Sequence, residues 1–462
     1  MMNMETVAAI PEERQLKRIL YVLSRSDTAG GGEVYLLRLL SRLDRNRYEP
    51  IVLMPKEGSL RAPLEALGIE VLVQELDYGW FEPDVRWYRG LAELPPRVEK
   101  LVELLRERAI DLVHTNTNLV LDGALASRIA GVRGLHVCHI EYQADMPLYQ
   151  RLQLDPRAFA ALMGELSEHT VAVSAMLVET LSPPIPRERI TVIPNGVEID
   201  VYDAALARRP GKLREELGIP AAAPIVMGIG RLMEDKGCAA FVQAATEVIL
   251  QHPDVHFLHV GQHDLPHYAE MVKAMARPLG SRFRFLGYRK DVPDLLASSD
   301  IFLLTSHREG GPYVLIEAML TGNAIVMTRC GGLVPDVIEP GVTGLLVDLD
   351  DAQAMAQHIL GLLADPQRRA ELARNARDRV HEAFDVNMSV ARMTRVYEEV
   401  LACPAPRPGS LSTTLFLRTV AELGHLGSEV VQLKQRVKRT ERAADLVLDN
   451  PVMRLLRRLA GR

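Results

Sequence analysis

Two α/β halves of similar size, each built on a parallel sheet, are what this 462-residue sequence predicts, on three observations. Short apolar runs alternate with amphipathic segments of helical period almost throughout. A sheet wrapped by helices reads this way, because strands buried on both faces are continuously apolar. The series stops at ARRPGKLREELGIPAAAP (207–224), a linker and short helix rich in Pro, Gly and charge, and then starts again. The chain is also too long for one ordinary core, and two domains of roughly 150–200 residues are the natural division.

In the first half the strand runs are RILYVL (18–23), PIVLM (50–54), IEVLV (69–73), DLVH (111–114), HVCHI (136–140), TVAV (170–173) and ITVI (190–193). Helix-period segments such as EVYLLRLLSRL (33–43) and VEKLVELLRER (98–108) lie between them. The second series is PIVMGIG (224–230), VHFLHVG (255–261), RFRFLG (282–287), DIFLL (300–304), AIVMT (324–328) and GLLV (344–347). FDVNMSVARMTRVYEEVLA then reads as a terminal helix, and PAPRPGSLSTT (404–414) as a linker.

Composition excludes several classes. With 48% hydrophobic and 25% charged residues the chain is globular rather than disordered, and a net charge of −6 argues against a nucleic-acid partner. Cys138, Cys238, Cys330 and Cys403 are too sparse for a disulfide framework and have no metal-ligand spacing. The N-terminus lacks the apolar stretch of a signal peptide, and no run approaches the ~20 apolar residues of a spanning helix, so a cytoplasmic protein is expected. Residues 431–462 differ in character, with nine Lys or Arg against three Asp or Glu and apolar positions at helical spacing. Such a basic amphipathic tail can bind an anionic membrane surface or a partner protein, or pack on its own domain.

Several residues could carry chemistry. Gly30, Gly31 and Gly32 fill the loop between the first strand and a helix, where free backbone N–H groups can receive a phosphate. The run is not GxGxxG, and three glycines make a tight turn as readily as a phosphate site. In GIGRLMEDKG (228–237), Arg231 and Lys236 leave a strand end, where open α/β sheets bind ligands. They could neutralise a pyrophosphate, or be a solvated pair beside Glu234 and Asp235. His139 and His114 sit at strand ends in the first half, where structural histidines outnumber catalytic ones. Asn195 and Gly196 form a turn at the junction of the halves, a candidate hinge. Finally, REGGPYVLIEAML (308–320) sets Glu309 in a strand-end loop and Glu317 about a turn into the next helix, with Pro312 near the helix start. A macrodipole role is adequate for Glu317 alone. Two carboxylates facing a common cleft also leave open the pair of a retaining glycosidase.

Taken in order, AGGGE (29–33), HI (139–140), AVSAML (172–177), VIPNGVEID (192–200), GIGRLMEDKG (228–237), FLGYRKDVPDLLASSD (285–300), EGGPYVLIEAM (309–319) and GGLVPDVIEPGVTGLLV (331–347) resemble the family-four retaining glycosyltransferases. These are nucleotide-sugar enzymes of the GT-B fold, in which two Rossmann-like domains face each other across a cleft. The resemblance spans residues 17–402 and implies an acceptor-side domain (1–195), a donor-side domain (196–385) and a crossover helix (386–402), followed by the linker and basic helical tail (403–462). It implies that Arg231 and Lys236 bind the donor diphosphate, that Glu317 takes the ribose hydroxyls, and that Glu309 contacts the sugar. Backbone N–H groups near Gly311, Tyr313 and Val314 would reach sugar and phosphate, Gly287–Arg289 would meet the base, His139 would lie beside the sugar, and Gly30 and Gly31 would cap the diphosphate. No metal and no cofactor are implied, since the two cations supply the positive charge. The partners implied are a nucleotide sugar and a sugar, glycolipid or other hydroxyl acceptor in cell-surface polysaccharide assembly. Two departures stand out. Thr305-Ser306 replaces a frequent Pro-Ser, and Ile140 follows His139 where the family often carries an acidic residue.

Two other classes share the architecture. A nucleotide-sugar 2-epimerase needs carboxylate or histidine groups at the sugar C2, and no matching series is present. A non-catalytic subunit recruiting partners through the basic tail has no use for the intact Arg231, Lys236, Glu309 and Glu317 set. Acceptor contacts are expected around 78–90, with Tyr78, Trp80, Phe81, Trp87 and Tyr88, and around 139–150.

Overall fold

The computed structural model describes residues 16–27, 31–76, 90–116, 120–139, 156–208, 212–262, 266–307, 309, 313–330 and 334–408, and six helical residues between 422 and 436. The aromatic segment 78–88, the stretch 140–150 and nearly all of the basic tail therefore lie outside the described residues.

The first domain is a seven-stranded sheet: β1 (Lys17–Val22), β2 (Tyr48–Met54), β3 (Glu70–Val73), β4 (Leu112–Thr115), β5 (Arg133–Cys138), β6 (His169–Ala172) and β7 (Ile190–Val192). Their order is β3-β2-β1-β4-β5-β6-β7, and every pairing is parallel. Pro50 sits inside β2 without breaking the ladder. It pairs with Ile19 of β1, whereas pairing with β3 starts only at Ile51, so its missing N–H costs no bond on that side.

The second domain carries β8 (Ile225–Ile229), β9 (His256–Val260), β10 (Phe283–Gly287), β11 (Ile301–Leu304), β12 (Ala324–Thr328) and β13 (Leu345–Val347) in the order β10-β9-β8-β11-β12-β13, again all parallel. Strand alternation explains how these short runs are buried on both faces. Ile225, Met227, Phe302, Leu304, Ile325 and Met327 enter one apolar cluster. Their neighbours Val226, Ile301, Leu303, Ala324 and Val326 enter the other.

The helix Val386–Ala402 packs on the first domain rather than the second. Val386, Val390, Met393, Val396, Tyr397 and Val400 all belong to the core of the seven-stranded sheet. The chain thus passes between the domains twice, and the two passages touch. Val197 N donates to the Phe384 carbonyl (2.9 Å), Val386 N to the Val197 carbonyl (3.0 Å), and Ser389 Oγ to the Pro194 carbonyl (2.8 Å). Gly196 is required here, since a Cβ would stand 2.4 Å from the Val386 Cα. Asn195 beside it is buried.

Each sheet reverses its strand order once, between β1 and β4 in the first and between β8 and β11 in the second. Loops leaving the carboxyl ends of those four strands diverge and open a crevice, where open α/β sheets bind ligands.

Candidate active site

In the second domain the crevice is built from the loops after β8 and β11. After β8 the chain runs through Arg231 to a short turn, Glu234–Lys236, and then the helix Cys238–Gln251. Gly237 joins turn to helix at φ +61°, where an added Cβ would stand 2.0 Å from the Thr305 carbonyl oxygen. No other residue lets the two loops approach this closely. The approach is locked by two hydrogen bonds to the turn's carbonyls: Thr305 Oγ1 donates to the Lys236 carbonyl (2.9 Å), and His307 N to the Asp235 carbonyl (2.8 Å). The result is that Lys236 Nζ lies 2.8 Å from Glu309 Oε1, with only 19% and 15% of the two side chains exposed. Ser306 Oγ donates to the same oxygen at 2.6 Å. One carboxylate therefore orients an ammonium and a hydroxyl at the mouth of the switch point.

Glu317 occupies a separate position in the helix Tyr313–Leu320. It is the fifth residue, beyond the first turn, so the macrodipole does not explain it; the dipole's effect fades within that turn. Its partner is Arg38 from the helix Gly31–Arg42 of the first domain, with Nη2 3.3 Å from Oε1. Burial, followed by the nearby Glu317 charge, holds the Tyr202 phenol far above the ordinary tyrosine range. Glu309 and Glu317 thus each have their own cation.

The first domain supplies the opposite wall. Asn116, after β4, donates Nδ2 to the Gly32 carbonyl (3.2 Å), which turns Oδ1 toward His139 Nε2 at 3.2 Å. The neutral imidazole therefore carries its proton on Nε2. Burial lowers the His139 pKa to about 4, so the ring is uncharged at neutral pH. A Cβ on Gly32 would press the His139 ring at 3.2 Å, and one on Gly31 would reach the Tyr313 ring at 3.4 Å. Gly31 and Gly32, expected in the loop, open the helix Gly31–Arg42 instead, and its glycine start abuts the glutamate helix of the other domain.

Of the residues singled out in the sequence, Lys236 and Glu309 meet directly, and Arg231 lies half-buried at the start of the Lys236 loop. Gly31 meets Tyr313 and Gly32 meets His139, and Val314 is half-buried beside Tyr313. Gly287 ends β10 at φ +67°, its carbonyl bonded to Gly261 N (2.9 Å). Arg289 turns its guanidinium to Glu216 (2.6 Å) and Asp291 (2.7 Å), which engages its side chain away from any base contact. Gly30 and Gly311 lie outside the described residues. His114 is bound to the crossover helix, its Nδ1 2.8 Å from Tyr397 Oη, which is a structural role.

Sequence reasoning did not select Arg38, Asn116, Tyr202 or Ser306. Arg38 did leave a signal. Gly31, Tyr35, Arg38 and Arg42 recur at helical spacing, one face on which cations follow a glycine loop.

Comparison with known proteins agrees with this geometry. The family described as Glycosyltransferase Family 4 matches residues 29–201, and that described as Glycosyl transferases group 1 matches residues 223–365. The chain is 31% identical over 239 residues to an N-acetyl-alpha-D-glucosaminyl L-malate synthase of Bacillus anthracis, covering 51% of this chain and 61% of that protein. It is 25% identical over 391 residues to the Escherichia coli UDP-Gal:alpha-D-GlcNAc-diphosphoundecaprenol alpha-1,3-galactosyltransferase, covering 80% of this chain and 96% of that one. The structure of Anabaena HepE in complex with UDP superposes with a TM-score of 0.68 at 26% identity, over 83% of this chain and 100% of HepE. Two parallel-sheet domains with these loops at their switch points give the GT-B fold, and the chain belongs to the group 1 glycosyltransferases of family four.

Proposed function

We propose that the chain is a retaining glycosyltransferase that moves a sugar from a nucleoside-diphosphate sugar to a hydroxyl acceptor, without a metal ion, in cell-surface polysaccharide or glycolipid assembly. The observation that carries this reading is the Lys236–Glu309–Ser306 cluster at the β8/β11 switch point, with Glu317 on the following helix. Cleaving the bond between sugar and diphosphate builds negative charge on the leaving phosphate. Fixed cations in a crevice shielded from water stabilise that charge better than mobile ions, because they need no reorganisation. Lys236 and Arg231 supply them.

In this reading Glu309 accepts hydrogen bonds from sugar hydroxyls, and Glu317 from the ribose hydroxyls. The backbone at Gly287–Arg289 borders the base, and the Gly31 end of its helix caps the diphosphate. His139, neutral and oriented by Asn116, borders the sugar without adding charge. No protein nucleophile is needed. A departing phosphate oxygen takes the acceptor's proton while the acceptor oxygen bonds to the anomeric carbon from the same face, and the sugar–phosphate bond breaks. Relatives support the substrate class, since HepE is solved in complex with UDP-glucose and the Escherichia coli relative is named for a UDP-sugar and a lipid-diphosphate-linked acceptor. The basic tail, charged and amphipathic, suits contact with an anionic membrane that bears such an acceptor. Among the described residues no helix is long and apolar enough to cross a membrane.

Incubation with a panel of sugar nucleotides and sugar or glycolipid acceptors, with proton NMR of the product, tests this. The donor's anomeric configuration is expected in the product. An inverted product would overturn retention, and a sugar epimerised at C2 without transfer would overturn glycosyl transfer itself.

A further inference from the structure

Arg38 is the side chain by which the first domain grips the glutamate at the nucleotide end of the site. It projects from the helix that begins at the glycine loop, and four groups of the other domain or the junction receive it. Nη2 lies 3.3 Å from Glu317, Nη1 donates to the Gly196 carbonyl at 3.4 Å, and Nε lies 3.8 Å from Glu198. The guanidinium carbon stands 4.8 Å from the centre of the Tyr313 ring, within cation–π range. Both Arg38 and Glu317 keep only 12% of their side chains exposed.

A carboxylate offers about four lone-pair directions. Arg38 uses one, which leaves room for a pair of ribose hydroxyls. The guanidinium also stays anchored by Tyr313, Gly196 and Glu198 whatever Glu317 does, so a bound nucleoside need not expel it.

We infer that Arg38 is a positioning residue for the nucleotide: it fixes the Glu317 carboxylate for the ribose only while the two domains are together. Resting on the reading under Proposed function, this makes closure of the cleft and grip on the nucleoside reinforce each other, since a contact that strengthens binding in one state must favour that state when ligand binds.

Calorimetric titration of UDP, GDP and ADP into the wild type, R38Q, R38K, E317Q and the R38Q/E317Q double variant tests this. The nucleotide that the wild type binds best is expected to bind about tenfold more weakly to R38Q, with an intermediate loss in R38K, which keeps the charge but not the planar fork. In the E317Q background R38Q is expected to cost nothing further. Unchanged or tighter binding to R38Q would overturn the inference and leave glycosyl transfer standing. The same loss in the E317Q background would also overturn it, because Arg38 would then act through the fold. If R38Q does not fold, R38K decides by a severalfold loss against none. A wild type that binds none of the three would overturn the glycosyltransferase reading, and this inference with it.

Discussion

Lys236 is already neutralised by Glu309 before a donor arrives, so donor binding exchanges one anion for another rather than bringing a charge to an empty site. Its contribution should then grow as the leaving phosphate gains charge, and Lys236→Ala is expected to lower kcat by about 10²–10³-fold, the usual effect of losing a charge-stabilising donor. Nucleotide release under saturating donor measures it, and a kcat within about twofold of wild type would exclude the role. Three histidines make a second prediction. Burial lowers His114 and His136 to about 3 and His139 to about 4, whereas the unfolded chain protonates them near 6.5. Their folded pKa values are depressed, so the unfolded state binds more protons below 6.5, and the stability they allow is complete above that pH and lost as pH falls toward 4. Buried Glu33 and half-buried Asp336 have raised values, chiefly from desolvation, and act in the opposite sense. The urea midpoint is expected to drop from pH 7.5 to pH 5.0, on the order of 1–2 kcal/mol per histidine; an unchanged midpoint would show these rings are not protected. At this scale the strand-end residues were legible, because parallel strands put Lys236 and Glu309 on one edge. Arg38 was not, since its partner lies 279 positions away on the other domain.

The loop–helix joints set the precision of the site. Gly237 has both a positive φ and a carbonyl oxygen where its Cβ would be, so Gly237→Ala must push the Lys236 turn away from Thr305. We expect a stability loss of about 1–3 kcal/mol from backbone strain together with a fall in kcat, since Lys236 and Glu309 would no longer meet. Thermal unfolding and turnover of the one variant check both, and intact turnover would mean that the two loops position their side chains independently. Elements of strong period were legible in sequence, and their ends were less so. The helix expected over 98–108 is Leu94–Glu107, because Pro95 and Pro96 fit a first helical turn, where their missing N–H groups cost nothing. The strand expected from Pro50 starts at Tyr48, where β1 supplies a partner that local sequence does not reveal.

The whole molecule depends on a chain that leaves the first domain and returns to complete it. Removing residues after Phe384 would strip six apolar side chains from the core of the seven-stranded sheet. At ~1.5–3 kcal/mol for each buried side chain, the loss is about 10 kcal/mol or more, comparable to the stability of an ordinary domain. Such a truncated chain is expected to lose cooperative unfolding of its first domain by circular dichroism, and full retention of it would show that the returning helix is an appendage. The repeated α/β series made the two-domain plan readable, while the meeting of the passages at Gly196 and Val386 depends on tertiary contacts alone. The central claim is that one sugar nucleotide spans Lys236, Glu309 and Glu317. A thermal-shift screen of sugar nucleotides against the wild type and Glu317→Ala tests it most directly. At least one nucleotide sugar is expected to raise the wild-type Tm by several degrees, as a ligand well above its Kd must, and that shift is expected to shrink sharply in Glu317→Ala. A panel in which none shifts the wild type, or an equal shift in both proteins, would contradict it.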